Sequence, residues 1–154
     1  MKPYIYGPKF MWNLDASVGK GGANSNPCDV SFIQWYYTLA ANFALTTDEN
    51  KAVYRNVEIT GACSGRDDDP LVAAILIQQK GMNHPYLDGK VSVVTGSGRL
   101  GPQVNARAFF LIRLEARFAV MYPKLWPRLD LIPNCPGTVR DVSLYAIPQM
   151  SELS

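Results

Sequence analysis

The length, composition and charge of the chain limit what it can be. Its 154 residues are 47% hydrophobic and 18% charged, with a formal net charge of +2. A chain of this length can bury enough surface to form one domain, and its composition excludes an intrinsically disordered protein. Basic and acidic residues are interspersed, so we expect no nucleic-acid partner. The longest apolar run is too short to span a bilayer, so we expect no membrane insertion.

The first residues and the cysteines indicate the compartment and exclude some cofactors. Lys2 is followed by tyrosines, a glycine and a proline, which interrupt the apolar run of a secretory signal. We therefore expect no signal peptide and a protein that is cytoplasmic as synthesised. Cys28, Cys63 and Cys135 lack metal-ligand spacing, so the sequence predicts neither a metal site nor a cofactor. It does not decide whether any of them pair.

The chain divides into three segments. Residues 1–26 show neither helical nor sustained alternating periodicity, and we interpret them as an irregular arm. Their apolar side chains favour an arm that packs on the domain rather than one that extends into water. These side chains are Tyr4, Tyr6, Phe10, Met11 and Trp12. We expect a helical domain over residues 27–122, followed by a proline-rich extension over residues 123–154.

Residues 29–43 carry a strong helical pattern, and Asn26 followed by Pro27 is typical of a helix start. Two apolar stripes lie side by side on this helix and leave one narrow polar edge. This pattern predicts a core helix that is exposed to solvent only along that edge. The polar edge consists of Ser31, Gln34, Thr38 and Asn42. The second apolar stripe consists of Phe32, Trp35, Tyr36, Leu39 and Phe43.

Further elements follow along the chain. Residues 46–50 break the helical pattern, and residues 53–60 are interpreted as a short extended segment. Asp69 and Pro70 predict the start of a second helix over residues 71–80, and residues 91–95 are interpreted as a short strand. A third helix is predicted over residues 103–122 and one short helix between residues 138 and 146. The expected fold class is mainly α: a small helical bundle with short extended loops and a proline-rich extension.

Residues 96–101, Gly-Ser-Gly-Arg-Leu-Gly, match the dinucleotide-binding pattern G-x-G-x-x-G. A dinucleotide-binding fold also needs a second parallel strand after the helix, whereas this helix leads into Pro123 and Pro127. We therefore interpret the glycines as a turn before a helix.

Two sets of residues are candidates for catalysis. Cys28 lies near a predicted helix start, which lowers a thiol pKa, and could pair with His84, the only histidine. Glu115 and one of the aspartates at 67–69 could form the carboxylate pair of a glycosidase. The simpler interpretations are a half-buried cysteine, a loop histidine, helix-capping aspartates, and Glu115 paired with neighbouring arginines.

Five short motifs follow one another between residues 17 and 92. They are Asp29-Val30-x-x-Ile33-Gln34, Ile59-Thr60-Gly61, Pro70-x-x-Ala73-Ala74-x-x-Ile77-Gln78, Gly81-Met82 and Asp88-Gly89-Lys90-Val91. In order and spacing they resemble the peptidoglycan-binding-like domain, a small three-helix module. The preceding Val18-Gly19-x-Gly21-Gly22-x-Asn24 is similar to the lead-in of versions encoded near bacterial type VI secretion genes. We expect each motif glutamine to lie at the edge of a helix–helix seam and to satisfy backbone groups of a loop.

The resemblance implies a non-catalytic module that binds peptidoglycan fragments or a type VI secretion-related protein, with delivery to a periplasm by a secretion apparatus. A groove that mixes aromatic and polar groups is the expected site. Its candidate residues are Trp35, Tyr36, His84, Tyr86 and Asp88. Two alternatives stay open: a peptidoglycan hydrolase that uses Cys28 with His84, or Glu115, and an adaptor or immunity-like protein whose binding face is the second apolar stripe.

Overall fold

The computed structural model describes residues 1–6, 9–95 and 109–151. In these ranges the fold is mainly α, as expected, with four short strands paired into two small sheets. The strands are β1 Lys2–Tyr6, β2 Lys9–Asn13, β3 Val18–Gly19 and β4 Lys90–Val91. The helices are α1 Pro27–Ala40, α2 Asp48–Tyr54, α3 Pro70–Gly81, α4 Phe110–Met121, α5 Gly137–Tyr145 and α6 Ile147–Ser151. None of the helices described is long and apolar enough to cross a membrane.

The amino-terminal segment contains a β-hairpin, which differs from the irregular arm that we expected. β1 and β2 pair antiparallel, with Lys2 opposite Asn13 and Tyr4 opposite Met11. The alternating pattern of a strand is absent because two consecutive residues, Met11 and Trp12, are both buried. The alternation of apolar and polar residues therefore does not reveal a strand where both faces of a hairpin are covered.

Trp12 joins this hairpin to the other end of the chain. Its backbone N–H donates to Glu115 Oε1 at 2.7 Å, and its indole Nε1 donates to the carbonyl oxygen of Pro127 at 3.0 Å. The ring itself is fully buried. Residues of the hairpin, the central helices and the carboxyl-terminal segment thus contribute to one hydrophobic cluster.

Helix α1 begins as predicted and ends earlier. The Asn26 side chain accepts from the N–H of Asp29 at 3.1 Å, and Pro27 occupies the first turn. The regular helix stops at Ala40, and turns continue to Thr46. The polar edge is only partly wet, since Ser31 and Gln34 are buried and Asn42 is exposed.

The second apolar stripe of α1 is covered. Phe32 and Trp35 are fully buried, and Phe118 of α4 lies between them and Trp126. The ring centroids of Phe32 and Phe118 are 5.5 Å apart and those of Phe118 and Trp126 are 5.6 Å apart. Four of the five residues of this stripe are buried and Phe43 is half-buried, so most of the stripe belongs to the core.

Helix α2 was not predicted and replaces part of the expected extended segment. The Thr47 side chain accepts from the N–H of Asn50 at 3.2 Å, so the polar run at residues 46–50 starts a helix rather than only ending one. Residues 55–60 then run without regular structure to Gly61. The expected extension begins only after Tyr54, which is buried.

Helix α3 has the predicted position and start. Asp69 caps it by accepting from the N–H of Leu71 at 2.9 Å. A two-residue ladder between β3 and β4 follows, in which Gly19 lies opposite Lys90. Gly19 has a φ of +110°, and a Cβ there would collide with the carbonyl oxygen of Gly89. The ladder therefore needs glycine at this position.

The last helices agree in part with the sequence. α4 accounts for residues 110–121 of the third predicted helix, whereas residues 103–108 and the glycine motif at 96–101 lie outside the described residues. α5 matches the short helix predicted between residues 138 and 146, and α6 follows it without having been predicted. A 3-10 turn, Leu129–Leu131, connects α4 to this part of the chain.

Candidate functional site

A cleft of about 260 Å³ lies where the ends of α1 and α3 meet the start of α2 and the second half of α4. We call it the helix cleft. Its walls combine apolar and polar side chains, the mixture that small-molecule sites use for affinity and orientation. The apolar side chains include Ala40, Phe43, Leu45, Met82 and Met121; the polar ones include Tyr36, Glu49, Asn50, Tyr54, Gln78 and Arg117.

The two tyrosines of the helix cleft are held by amide side chains. Gln78 Nε2 donates to the hydroxyl of Tyr36 at 2.6 Å, and Asn50 Nδ2 donates to the hydroxyl of Tyr54 at 3.3 Å. Burial raises the pKa of Tyr54 to about 12 and that of Tyr36 further, although Arg117 opposes both shifts. Both phenols are therefore neutral near pH 7 and can act as hydrogen-bond donors but not as bases.

Gln78 has an unused acceptor at this site. Its side chain is 6% exposed, and its Oε1 is buried and accepts no hydrogen bond within the described part of the chain. The sequence predicted that Gln78 would satisfy a loop, and this is wrong. Its neighbour Gln79 does so instead, by accepting from the N–H of Gly89 at 2.8 Å and donating to Asp88 Oδ1 at 3.0 Å.

Gln34 behaves as the sequence predicted. Its Oε1 accepts from the N–H groups of Thr60 and Gly61 at 2.9 and 3.0 Å. Its Nε2 donates to the hydroxyl of Thr60 and to the carbonyl oxygen of Ala62, each at 3.0 Å. One amide thus fixes the whole turn after α2 against α1.

Three of the five predicted ligand residues, His84, Tyr86 and Asp88, line a second depression of about 210 Å³, which we call the loop pocket. Tyr86 is 57% exposed, Asp88 is exposed as well, and His84 is buried. Asp88 Oδ1 is occupied by Gln79 Nε2 and by the N–H of Lys90. The loop pocket therefore offers an exposed aromatic ring, whose centroid lies 6.1 Å from that of His84, and a carboxylate already engaged in the turn.

His84 is a packed side chain. It is buried, and its ring centroid lies 5.3 Å from that of Phe110. Its Nδ1 lies 3.3 Å from Nη1 of Arg113. The other terminal nitrogen of this guanidinium, Nη2, donates to the carbonyl oxygen of Met82 at 3.0 Å. Burial, and then the charge of Arg113, lower the pKa of His84. The imidazole is therefore neutral near pH 7.

The other two predicted ligand residues lie elsewhere. Trp35 is fully buried and its indole Nε1 donates to the carbonyl oxygen of Pro133 at 3.0 Å, so it is not a platform for a ligand. Tyr36 is 2% exposed and reaches the helix cleft. The structure therefore divides the predicted set between the core, the helix cleft and the loop pocket.

The predicted cysteine–histidine pair is not assembled. Cys28 Sγ lies 4.0 Å from the sulfur of Met1, and its polar surroundings include Thr138 and the amino-terminal ammonium group. Neither Met1 nor Thr138 is among the described contacts of His84. Burial raises the pKa of the Cys28 thiol, which contradicts the lowering expected from its position at a helix start.

The carboxylates are also engaged in structure. Glu115 does not pair with neighbouring arginines as we expected; it is buried, its Oε1 accepts from Trp12, and burial raises its pKa well above the usual value. Asp69 caps α3 and also accepts from the N–H of Ser64, as the capping interpretation predicted. Asp67 lies 2.8 Å from Lys20 Nζ. Glu115 lines neither the helix cleft nor the depression that Asp69 helps to form with Gln34 and Thr60.

Sequence reasoning missed most of the helix cleft. The signal available for Glu49 and Asn50 was the run Thr-Thr-Asp-Glu-Asn, which is a helix start as well as a helix stop. For Arg117 there was no such signal, because an arginine on an exposed helix face usually points into solvent.

Comparison with known proteins provides no relative: no family model, no curated protein and no solved structure matches the chain.

Proposed function

We propose that this chain is a non-catalytic binding module of the peptidoglycan-binding-like type that works with a bacterial type VI secretion system. The observation that supports it most is the helix cleft, an open depression with apolar walls and several convergent polar groups. Binding needs such a surface, whereas hydrolysis also needs a nucleophile or an acid–base pair facing it. The cysteine, the histidine and the glutamate that we considered for catalysis are packed in separate places.

The motif residues also support the proposal through their shared structural role. Gln34 holds the turn at residues 60–62, and Gln79 holds the turn at residues 88–90. In the lead-in segment, Asn24 accepts from the N–H of Gly19 at 2.8 Å and donates to its carbonyl oxygen at 2.9 Å. Hydrogen bonds thus join the first motif to the second, and join Gln79, the residue after the third motif, to the last motif.

A sedimentation assay on purified peptidoglycan sacculi tests this function. We expect the protein to co-sediment with sacculi, and we expect a protein of similar size and charge to remain in the supernatant. Equal retention of both proteins, or retention of neither, would overturn the proposal.

The same samples test the hydrolase alternative. Sacculi are incubated with the wild-type protein and with the Cys28→Ala and Glu115→Gln variants, and soluble muropeptides are measured. We expect none above the buffer control from any of the three. Release by the wild type that one variant abolishes would make the chain an enzyme and identify the residue concerned.

A further inference from the structure

We infer that the helix cleft recognises the peptide part of cell-wall material, through a free terminal carboxylate and an amino group, and does not recognise its sugar chain. This inference rests on the proposed function and adds the ligand class. It depends on charge, on hydrogen bonding and on the shape of the cleft.

The charge argument concerns Arg117. Its side chain is exposed at the cleft, and no carboxylate of the described residues forms an ion pair with it, whereas Arg66 and Arg128 pair with Asp68 and Asp130. Its charge acts on the hydroxyls of both tyrosines inside the cleft, so the guanidinium lies near them. A planar guanidinium binds a carboxylate through two parallel hydrogen bonds, which gives orientation as well as attraction.

Glu49 provides the opposite charge. It belongs to the first turn of α2, is exposed, and lines the same cleft as Arg117. A ligand that carries both a carboxylate and an ammonium group satisfies the two residues together. A neutral oligosaccharide satisfies neither.

The hydrogen-bonding argument concerns Gln78. Its Oε1 is a buried acceptor without a donor in the described structure, and the Gln78 side chain lines the cleft. A peptide N–H is the donor that a carboxamide oxygen most often meets in proteins. A rotation of this amide towards the cleft lets the N–H of a bound peptide donate to a group that the free protein leaves unpaired.

The shape of the cleft excludes a sugar platform. Sugars bind to the exposed faces of aromatic rings, but Tyr36 and Tyr54 are 2% and 3% exposed, and each packs on another aromatic ring inside the protein. Phe43, the remaining aromatic ring of the described lining, is half-buried. A volume of about 260 Å³ accommodates one or two amino-acid residues and is small for a disaccharide ligand. Met82 and Met121 provide an adaptable apolar surface for a small side chain such as that of alanine.

A titration followed by backbone amide NMR shifts tests the inference. The first probe is a synthetic tetrapeptide that ends in D-alanine with a free carboxylate and contains one lysine amino group. The second probe is the same peptide amidated at its carboxyl end, and the third is a tetrasaccharide of N-acetylglucosamine. We expect the free peptide to shift amides of residues 46–54 and 78–82, the amidated peptide to bind roughly tenfold more weakly because it loses the charge-assisted pair, and the tetrasaccharide not to bind.

Variants locate the binding to the cleft. We expect Arg117→Ala to weaken binding of the free peptide roughly tenfold and to abolish the difference between the free and amidated peptides. Arg140→Ala is the matched control, since Arg140 is also exposed on a helix and lies outside the cleft. It should bind like the wild type. Both replaced side chains are exposed, and an unchanged thermal unfolding midpoint verifies that each variant folds.

Three results would overturn the inference: equal binding of the free and amidated peptides, unchanged binding by Arg117→Ala, or shifts confined to the loop pocket around Tyr86. If sacculi retain the protein and only the tetrasaccharide binds, the ligand class is wrong and the proposed function stands. If the peptide binds in the cleft but sacculi do not retain the protein, the ligand class stands and the proposed function is wrong.

Discussion

At the residue scale, Gln34, Gln78 and Gln79 show how much the role of one amide depends on its surroundings. Gln34 uses both ends of its amide on the turn after α2, and Gln79 does the same for the turn before β4. Gln78 uses one end on Tyr36 and leaves the other unpaired. The sequence indicates that an amide is needed beside each turn. Which of two adjacent glutamines points towards the turn can be decided only when the orientation of the helix is known.

The Gln34 contacts predict a large loss of stability on substitution. Gln34→Ala removes the four hydrogen bonds that hold the turn at residues 60–62, and each such bond contributes about 0.5–1.5 kcal/mol. We expect the free energy of unfolding to fall by about 2–4 kcal/mol in urea denaturation. Asn42→Ala, in the turn that follows α1, is the control, and its exposed side chain should contribute less than about 0.5 kcal/mol. Equal effects of the two substitutions would show that the turn does not depend on Gln34.

Glu115 predicts a pH dependence of stability. Burial raises the pKa of its folded-state carboxyl well above 4.5, so the native state keeps a proton that the unfolded state loses. The stability that the protonated group contributes is fully present below the unfolded pKa of about 4.3 and is lost as the pH rises through the folded pKa. Glu115→Gln keeps a neutral acceptor for Trp12 and removes this loss.

Urea denaturation between about pH 4 and pH 7.5 measures the effect. We expect the free energy of unfolding of the wild type to fall relative to that of Glu115→Gln as the pH rises over this range. Glu58→Gln, which replaces an exposed carboxylate, should change with pH as the wild type does. Parallel pH curves for the wild type and Glu115→Gln would contradict a raised pKa at this position.

At the element scale, α2 shows why some of the fold could not be predicted. It has seven residues, and Tyr54 is buried while most of the others are half-buried or exposed. So short a helix has no full hydrophobic period and is marginal on its own. Its existence depends on the Thr47 cap and on packing against α3. Helices α1, α3 and α5, with capping or proline start signals and apolar faces, were predicted to within a few residues.

The cap of α2 can be tested directly. Thr47→Ala removes the acceptor for the N–H of Asn50, which costs about 1 kcal/mol at an N-cap. Because a weaker cap favours opening of α2, we expect faster amide hydrogen exchange at residues 48–54 and little change in α1. The affected helix forms one wall of the helix cleft. Thr46→Ala removes the same side chain one position earlier, where it does not cap the helix, and should leave exchange in α2 unchanged. Equal exchange in both variants would mean that α2 is held by packing alone.

Dependence on tertiary packing also explains why most of the helix cleft was not predicted. The helix cleft combines side chains from four elements that are far apart in the chain, and no short motif spans them. The loop pocket was easier to find because His84, Tyr86 and Asp88 are close in sequence. Local spacing therefore identifies sites within one loop and misses sites that exist only after helices have packed.

At the scale of the whole molecule, the hairpin is part of the core. Trp12→Ala removes a fully buried ring and the hydrogen bond from its indole to Pro127, and large-to-small changes of this kind cost about 3–5 kcal/mol. Domains have only about 5–15 kcal/mol of total stability, so we expect a variant that is close to unfolding at room temperature. Ile5→Ala lies in the same hairpin, where the side chain is 43% exposed, and should cost less than about 1 kcal/mol. Urea denaturation of both variants decides the point, and a small effect at Trp12 would mean that the hairpin is peripheral.

The bond between Trp12 and Pro127 also has a consequence for biosynthesis. The two residues are 115 positions apart, so at a translation rate of about 5–20 residues per second the ribosome needs roughly 6–23 s to produce Pro127 after Trp12. During this interval the indole and the apolar residues around it lack the later residues that bury them in the folded protein. The nascent chain therefore presents a hydrophobic segment to chaperones from an early stage, and its final packing can form only after Pro127 has been synthesised.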